Sequence, residues 1–189
     1  MKTLAAALAA LSLSLAAAPA VAQRRPASRR VLGFGTGLGV GYDVNSFGGD
    51  HAWPLLPTLS LHVALTPRVE LELWAPAVNL VASRIGDIKG WLWADLTARW
   101  YALEPSRGLF VQAGVGFMRG RFNDDPAFAV LRVPARVGWE FSTDGRGAAL
   151  QLGVRPWVDV VFPGDPLGVA ARFGFVAEVG FNFYVTREP

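Results

Sequence analysis

Two pairs of residues have types and spacing that could support hydrolysis. Glu70 and Glu72 stand two apart, which in an extended chain puts both carboxylates on one face, about 7 Å apart. Carboxylates at such a separation can cleave glycosides, one acting as the acid and the other as the base. Ser60 and His62 have the same spacing and could form a nucleophile with its base. For both pairs we favour the alternative, hydrogen-bonded side chains of a closed interior with no catalytic role.

Other chemistries have weaker support. The chain contains no cysteine, which excludes disulfide bonds, thiolate metal sites and thiol catalysis. Asp50 and His51 are too few to hold a metal ion. The glycine-rich stretch 33–41 lacks the spacing of phosphate-binding loops. The sequence therefore predicts a protein without enzyme activity, cofactor or metal site.

The stretch from 31 to 44 has two different faces if it is extended, one of glycine and one of bulkier residues. Every second residue from Gly33 to Gly41 is glycine, and bulkier, mostly apolar residues alternate with them. A period of two is that of a β-strand, whose side chains point to opposite faces in turn. A bare face suits the crowded interior of a narrow closed barrel. The apolar face would then point outward, which favours lipid over water as its surroundings.

The same alternation of apolar with small or polar residues returns seven times. No run of 18 apolar residues follows residue 22, so no transmembrane helix is expected there. Lipid offers no partners to backbone groups, so strands can cross it only as a closed barrel. The pattern predicts an all-β, eight-stranded antiparallel up-and-down transmembrane β-barrel. After the first strand, its strands would fall at 58–66, 69–75, 91–103, 109–118, 131–141, 150–160 and 172–185. Pro134 and Pro156 cannot donate to a ladder and are expected at bulges.

The first thirty residues are predicted to lie outside the barrel. Residues 1–22 combine a basic start, an apolar core and a small-residue cleavage site, as in a secretory signal peptide. Residues 23–30 hold four arginines and are predicted to be a flexible basic tail, with contact to anionic lipid or cell-wall polymer as the alternative. The barrel would span 31–185, and 186–189 would form a C-terminal tail. Export and the even spread of charge exclude nucleic acid as a partner, although the chain is basic.

The inward face of the predicted barrel collects charged residues of both signs. Such charges must be paired, because the desolvation of a lone ion costs several kcal/mol. We expect Asp43 beside Arg172, and Arg132 beside Asp159. The predicted interior network comprises Asp43, Glu70, Glu72, Asp95, Arg99, Arg132, Arg136, Glu140, Arg155, Asp159, Arg172 and Glu178.

The predicted connections alternate in length. Those at 66–68, 104–108 and 142–147 are short, and those at 45–57, 76–90, 119–128 and 161–170 are longer. Small outer-membrane barrels place short turns in the periplasm and longer loops outside. Both chain ends are therefore expected in the periplasm. Outward aromatic residues would fall into two bands, one near each end of the barrel.

The whole pattern from 31 to 185 resembles the small eight-stranded outer-membrane barrels of Gram-negative bacteria, the OmpA/OmpX type. The last strand is similar to that family's assembly signal, carried here by Glu178, Gly180, Phe183 and Val185. The resemblance implies outer-membrane lipid and the barrel-assembly machinery as partners, and the outer membrane of the cell envelope as the location. One departure is that the family's chains usually stop at a terminal aromatic residue, whereas 186–189 follow here.

The leading hypothesis for function is a non-enzymatic barrel with a structural or surface-interaction role. Its longer loops would make the contacts, but the sequence does not identify their partner. The alternative is a narrow, porin-like channel or carrier for a small solute, with a wet path along the inward glycines. Less favoured are a soluble exported ligand-binding barrel, which would turn its apolar face inward, and a lipid-modifying barrel enzyme.

Overall fold

The computed structural model describes residues 29–46, 49–77, 88–104, 106–122, 128–142, 147–161 and 171–187. These residues form eight strands, and the predicted fold class is confirmed. The strands are β1 (Arg29–Ser46), β2 (Gly49–Thr66), β3 (Val69–Pro76), β4 (Ile88–Tyr101), β5 (Gly108–Phe122), β6 (Phe128–Ser142), β7 (Ala148–Val161) and β8 (Ala171–Arg187).

The sheet closes on itself. Each strand pairs antiparallel with the next, and β8 returns to pair with β1, from Arg29 opposite Arg187 to Val44 opposite Phe173. Closure removes the free sheet edges at which another chain could add a strand. Among the described residues, no helix is long and apolar enough to cross a membrane.

Several strands are longer than the sequence pattern indicates. β2 begins at Gly49, so most of the predicted loop 45–57 is strand. β4 begins at Ile88 and β5 ends at Phe122, which shortens two more of the predicted loops. β1 starts at Arg29 and β8 ends at Arg187, so both strands include residues that the sequence analysis assigned to tails. The predicted signal peptide, 1–22, lies outside the described residues.

The predicted bulges at the two strand prolines are absent. The register of β6 with β7 is the same before and after Pro134 and Pro156, and only the ladder between them is interrupted. Register shifts occur elsewhere, at five places in the described ladders: between Gly39 and Gly41, Asp43 and Ser46, Arg30 and Leu32, Ala64 and Thr66, and Lys89 and Leu92. A proline without a hydrogen-bond donor can therefore be accommodated here without an inserted residue.

The distribution of side chains is the inverse of that in a water-soluble barrel. Leu38 and Val154 point outward and are 49% and 43% exposed, whereas Arg99 and Arg155 are fully buried inside. An apolar exterior of this extent is unfavourable in water and favourable in the hydrocarbon core of a bilayer. The structure therefore has the exterior of a membrane-spanning barrel and the interior of a polar, ion-paired core.

The inward glycines are covered by large side chains of neighbouring strands. A Cβ atom at Gly33 would lie within 2.7 Å of the ring of Tyr184, and one at Gly41 would lie 2.8 Å from Val176. At Gly35 it would collide with Ser60 Oγ and Asn182 Oδ1. The glycines thus provide room for their neighbours to fill the interior, and they do not line an open path.

Gly35→Val is expected to lower the free energy of unfolding by about 1–3 kcal/mol, because the added atoms overpack the interior. The neighbouring Thr36→Val is the matched control. Thr36 is exposed on the outward face, so its change should stay within about 0.5 kcal/mol. Denaturant titration of the refolded protein in detergent measures both. Equal effects of the two substitutions would contradict the close packing at Gly35.

Candidate functional site inside the barrel

Among the described residues, the interior holds seven carboxylates and six guanidinium groups. All twelve residues of the predicted network are buried, and none is more than 6% exposed. Arg30, which the sequence analysis assigned to the flexible tail, is the additional member and is 6% exposed. Charges so close to balance can be held in a confined space, provided that each has an opposite charge or a hydrogen-bond partner.

Glu72 on β3 is the carboxylate with the most arginine partners among the described residues. Arg99 on β4 and Arg155 on β7 each donate a hydrogen bond to one of its two oxygens. Arg136 on β6 adds a third guanidinium, its Nη1 3.7 Å from Glu72 Oε2. Because these three arginines come from three different strands, one carboxylate on β3 connects β4, β6 and β7 through the interior.

A second cluster lies nearer the chain termini and contains Arg30. Its Nη1 donates to Glu140 and, at 3.2 Å, to the hydroxyl of Tyr101, and its guanidinium lies 3.8 Å from the ring centre of Tyr184. The two tyrosine hydroxyls lie 3.1 and 3.2 Å from Glu140 Oε2. Glu70 completes the cluster, 3.5 Å from Arg30 Nη1. The signal that could have identified Arg30 is the adjacent apolar pair at 31 and 32, which marks the bulge that turns this arginine inward.

The predicted pair of Arg132 and Asp159 is confirmed. The guanidinium donates two hydrogen bonds to the carboxylate, at 2.6 and 2.8 Å, from directly opposite positions on β6 and β7. The same guanidinium lies between two indoles, 4.1 Å from the ring centre of Trp93 and 4.6 Å from that of Trp157. Trp74 contacts Trp93 edge to face at 5.4 Å, which extends this aromatic layer across the interior.

The predicted pairing of Asp43 with Arg172 has a compatible register. Asp43 on β1 lies opposite Gly174 on β8, two residues from Arg172 on the same inward face. Residues so placed are diagonal neighbours, which long side chains can bridge. Both side chains are buried, and their mutual contact stays a prediction.

The residues considered for catalysis do come together, but without space for a substrate. Ser60 Oγ lies 2.9 Å from His62 Nε2, as a nucleophile and its base would. His62 Nδ1 is 3.7 Å from Glu72 and 3.8 Å from Glu70, beyond hydrogen-bond distance. The space in front of Ser60 is the small volume left by Gly35, which Asn182 also occupies. The arrangement therefore supports interior hydrogen bonding more strongly than chemistry on a bound molecule.

The described residues of the barrel contain no candidate metal site. The described residues contain no group of three or more histidine, aspartate or glutamate side chains arranged to hold a metal ion. The side chains of Asp50 and His51 lie outside that description. In the interior itself, arginine side chains lie within 4 Å of Glu70, Glu72, Asp95, Glu140, Asp159 and Glu178.

Aromatic side chains mark the exterior near both ends of the barrel. Near the chain termini, Trp100 and Trp139 are 47% and 40% exposed, and Phe34 lies beside Phe183 across the junction of β1 and β8. Near the other end the outward aromatic residues with described side chains include Tyr42, Phe117, Phe173 and Phe175. Two such bands are typical of barrels that cross a bilayer, because amphipathic and bulky rings favour the interfaces.

The residues of the predicted assembly signal all lie on β8. Glu178 and Gly180 face the interior, and Glu178 accepts a hydrogen bond from Thr58 at 2.6 Å. Phe183 and Val185 face outward and are 56% and 64% exposed. Recognition of this strand by assembly machinery stays a prediction.

The sequence matches no protein-family model, and no curated protein matches it. Solved structures of bacterial barrels are similar to it. The N-terminal β-barrel domain of Pseudomonas aeruginosa OprF aligns with 82% of this chain and 99% of its own, at 15% identity and a TM-score of 0.48. Neisserial surface protein A aligns with 82% of this chain and 97% of its own, at 9% identity and a TM-score of 0.49. The outer membrane protein OprG from P. aeruginosa aligns with 85% of this chain and 99% of its own, at 12% identity and a TM-score of 0.48.

The classification of the chain depends on its own architecture. Eight antiparallel strands close into one sheet, apolar side chains cover the outside, and an ion-paired network fills the inside. With its two aromatic bands, the chain has the fold of the small eight-stranded outer-membrane β-barrels.

Proposed function

We propose that this protein is a non-enzymatic component of the bacterial outer membrane, a sealed barrel that anchors surface-exposed connections between its strands. Its termini would lie in the periplasm, and the assembly machinery would recognise β8. The observation that carries the proposal is the filled interior. Eight strands leave just enough width for side chains to fill, and here the described inward side chains are buried and cover the inward glycines.

Two layers obstruct any path along the barrel axis. The first is the cluster of Arg30, Glu140 and the two tyrosines near the termini. The second is Arg132 between Trp93 and Trp157. A solute would have to break buried ion pairs in both layers, each of which is costly to open. The geometry therefore supports a structural or surface-interaction role above transport.

The proposal is tested by gel mobility and by conductance. The refolded chain should migrate differently with and without boiling, because a closed barrel resists mild detergent. In planar bilayers it should produce no steady current. The double variant Trp93→Ala and Trp157→Ala removes one layer and serves as the positive control for leakage, provided that its gel shift is retained.

Two results would overturn the proposal. Steady conductance of the unmodified chain would favour the narrow channel instead. Solubility without detergent, together with the absence of a heat-dependent gel shift, would favour a soluble barrel.

A further inference from the structure

The start of β1 and the end of β8 bring two arginines into direct opposition on the outside of the barrel. Arg29 on β1 and Arg187 on β8 are cross-strand partners, and both are exposed. Like charges placed directly opposite each other destabilise a strand pair. Among the described residues, neither guanidinium has an ion pair with a carboxylate. Within the part of the chain that the structure describes, this end of the β1–β8 pair therefore presents two positive charges side by side.

A small cavity lies between these two arginines. It has a volume of about 240 Å³ and is lined by Arg29, Arg30, Val31, Ala64 and Arg187. Arg29 is held in place by a 3.3 Å hydrogen bond from its Nη2 to the carbonyl oxygen of Leu65. Arg30 is already occupied by Glu140 in the interior, so the outer pair supplies the free donors.

The position of the cavity relative to the apolar exterior identifies its occupant. Leu32 and Val185, 50% and 64% exposed, are opposite each other next to the arginines and belong to the lipid-facing surface. Phe34 and Phe183 follow in the aromatic band. Two guanidinium groups just beyond this surface lie at the depth of the lipid headgroups, where clustered basic residues bind anionic lipid. Guanidinium groups bind phosphate oxygens in pairs of parallel hydrogen bonds.

We propose that Arg29 and Arg187 form a binding site for the phosphate of an anionic phospholipid, whose acyl chains lie along Leu32 and Val185. The phosphate would neutralise the opposed pair and so stabilise the junction where the barrel closes. This inference rests on the membrane location proposed above and adds a specific lipid contact to it.

Native mass spectrometry of the refolded full chain provides the test, with phosphatidylglycerol and the zwitterionic phosphatidylcholine as probes. The unmodified chain should retain phosphatidylglycerol selectively. The double variant Arg29→Gln and Arg187→Gln should lower that retention about tenfold, since each basic residue near the surface contributes to the attraction. The single variant Arg187→Gln, at the last residue of β8, should lower the retention less. It keeps the test possible if the double variant does not fold.

Matched controls remove charge at the same end of the barrel. Arg68→Gln with Arg107→Gln deletes two exposed arginines from the short turns, and lipid retention should persist. Glu188→Gln, next to Arg187, should also leave retention intact. The inference is overturned if both double variants lose lipid equally, if the two lipids are retained equally, or if inorganic phosphate is retained and phosphatidylglycerol is not. A normal gel shift in those cases would leave the proposed barrel function standing.

Discussion

Glu72→Gln is expected to lower the free energy of unfolding by about 3–5 kcal/mol, the cost of removing one partner from a buried ion pair. Glutamine keeps the size of the side chain but not its charge. Arg99, Arg155 and Arg136 would then face one another around a neutral amide. The carboxylate that these three positive charges share would be lost, so their mutual repulsion would destabilise the folded state.

Denaturant titration of the refolded protein, followed by gel shift, measures the effect. The control is Glu104→Gln, which removes a carboxylate paired with Arg107 in an exposed turn. Side chains there are more than half exposed, so the change should be at most about 1 kcal/mol. If Glu72→Gln were no more costly than this control, the central role of Glu72 in the interior would be refuted.

Leu38→Arg should destabilise the protein in a bilayer by about 2–4 kcal/mol, the cost of an arginine on the lipid face at the midplane. Leu38 is half exposed, lies near the middle of β1 and is opposite Val179 near the middle of β8. The effect would arise from burying a charge in hydrocarbon, because Leu38 contributes little to the interior.

Leu32→Arg on the same strand provides the depth control. Leu32 lies close to the terminal end of β1 and has nearly the same exposure, 50%. Near the interface the cost of arginine falls to about 0–1 kcal/mol. Unfolding in lipid vesicles should therefore separate the two variants. Two small, equal effects are the outcome expected of a water-exposed surface, and they would contradict the membrane-spanning exterior.

The alternation of residue types was sufficient to predict the eight strands and the direction in which their side chains point. The period of two separates the two faces, and lipid outside the barrel favours the apolar one. Together they predict that Leu38 points outward and Arg99 inward, as observed. The pair of Arg132 and Asp159 was also predictable, because it joins directly opposite residues of consecutive strands. Local pattern and strand order thus determine the contacts between neighbours.

Contacts across the interior could not be predicted in the same way. Glu72 on β3 meets Arg155 on β7, and nothing in the spacing of either segment relates those strands. Such a contact depends on the diameter of the barrel and the stagger of its strands, which arise only on closure. The sequence therefore identifies the members of the network but not most of their partners.

Local irregularities caused the other differences. Arg30 would point outward if the alternation continued from Leu32, but a bulge reverses it. In β2, Pro54 and Pro57 resemble loop residues, yet the strand continues through both. Pro57 is exposed and lies opposite Leu38 in the ladder, and Pro54 lies where the register with β1 shifts. A one-residue change of register reverses the face of every residue beyond it, so a strict period of two assigns those residues to the wrong face.

The pairing of β1 with β8 has a consequence for how the barrel forms. These strands join residues from the two ends of the described chain, and contacts of such large sequence separation slow folding. During synthesis the N-terminal strand appears first and must wait for its last partner. Until β8 arrives, the growing sheet has two free edges open to aggregation. The cylinder is therefore completed only when the last strand pairs with the first, which removes both free edges at once.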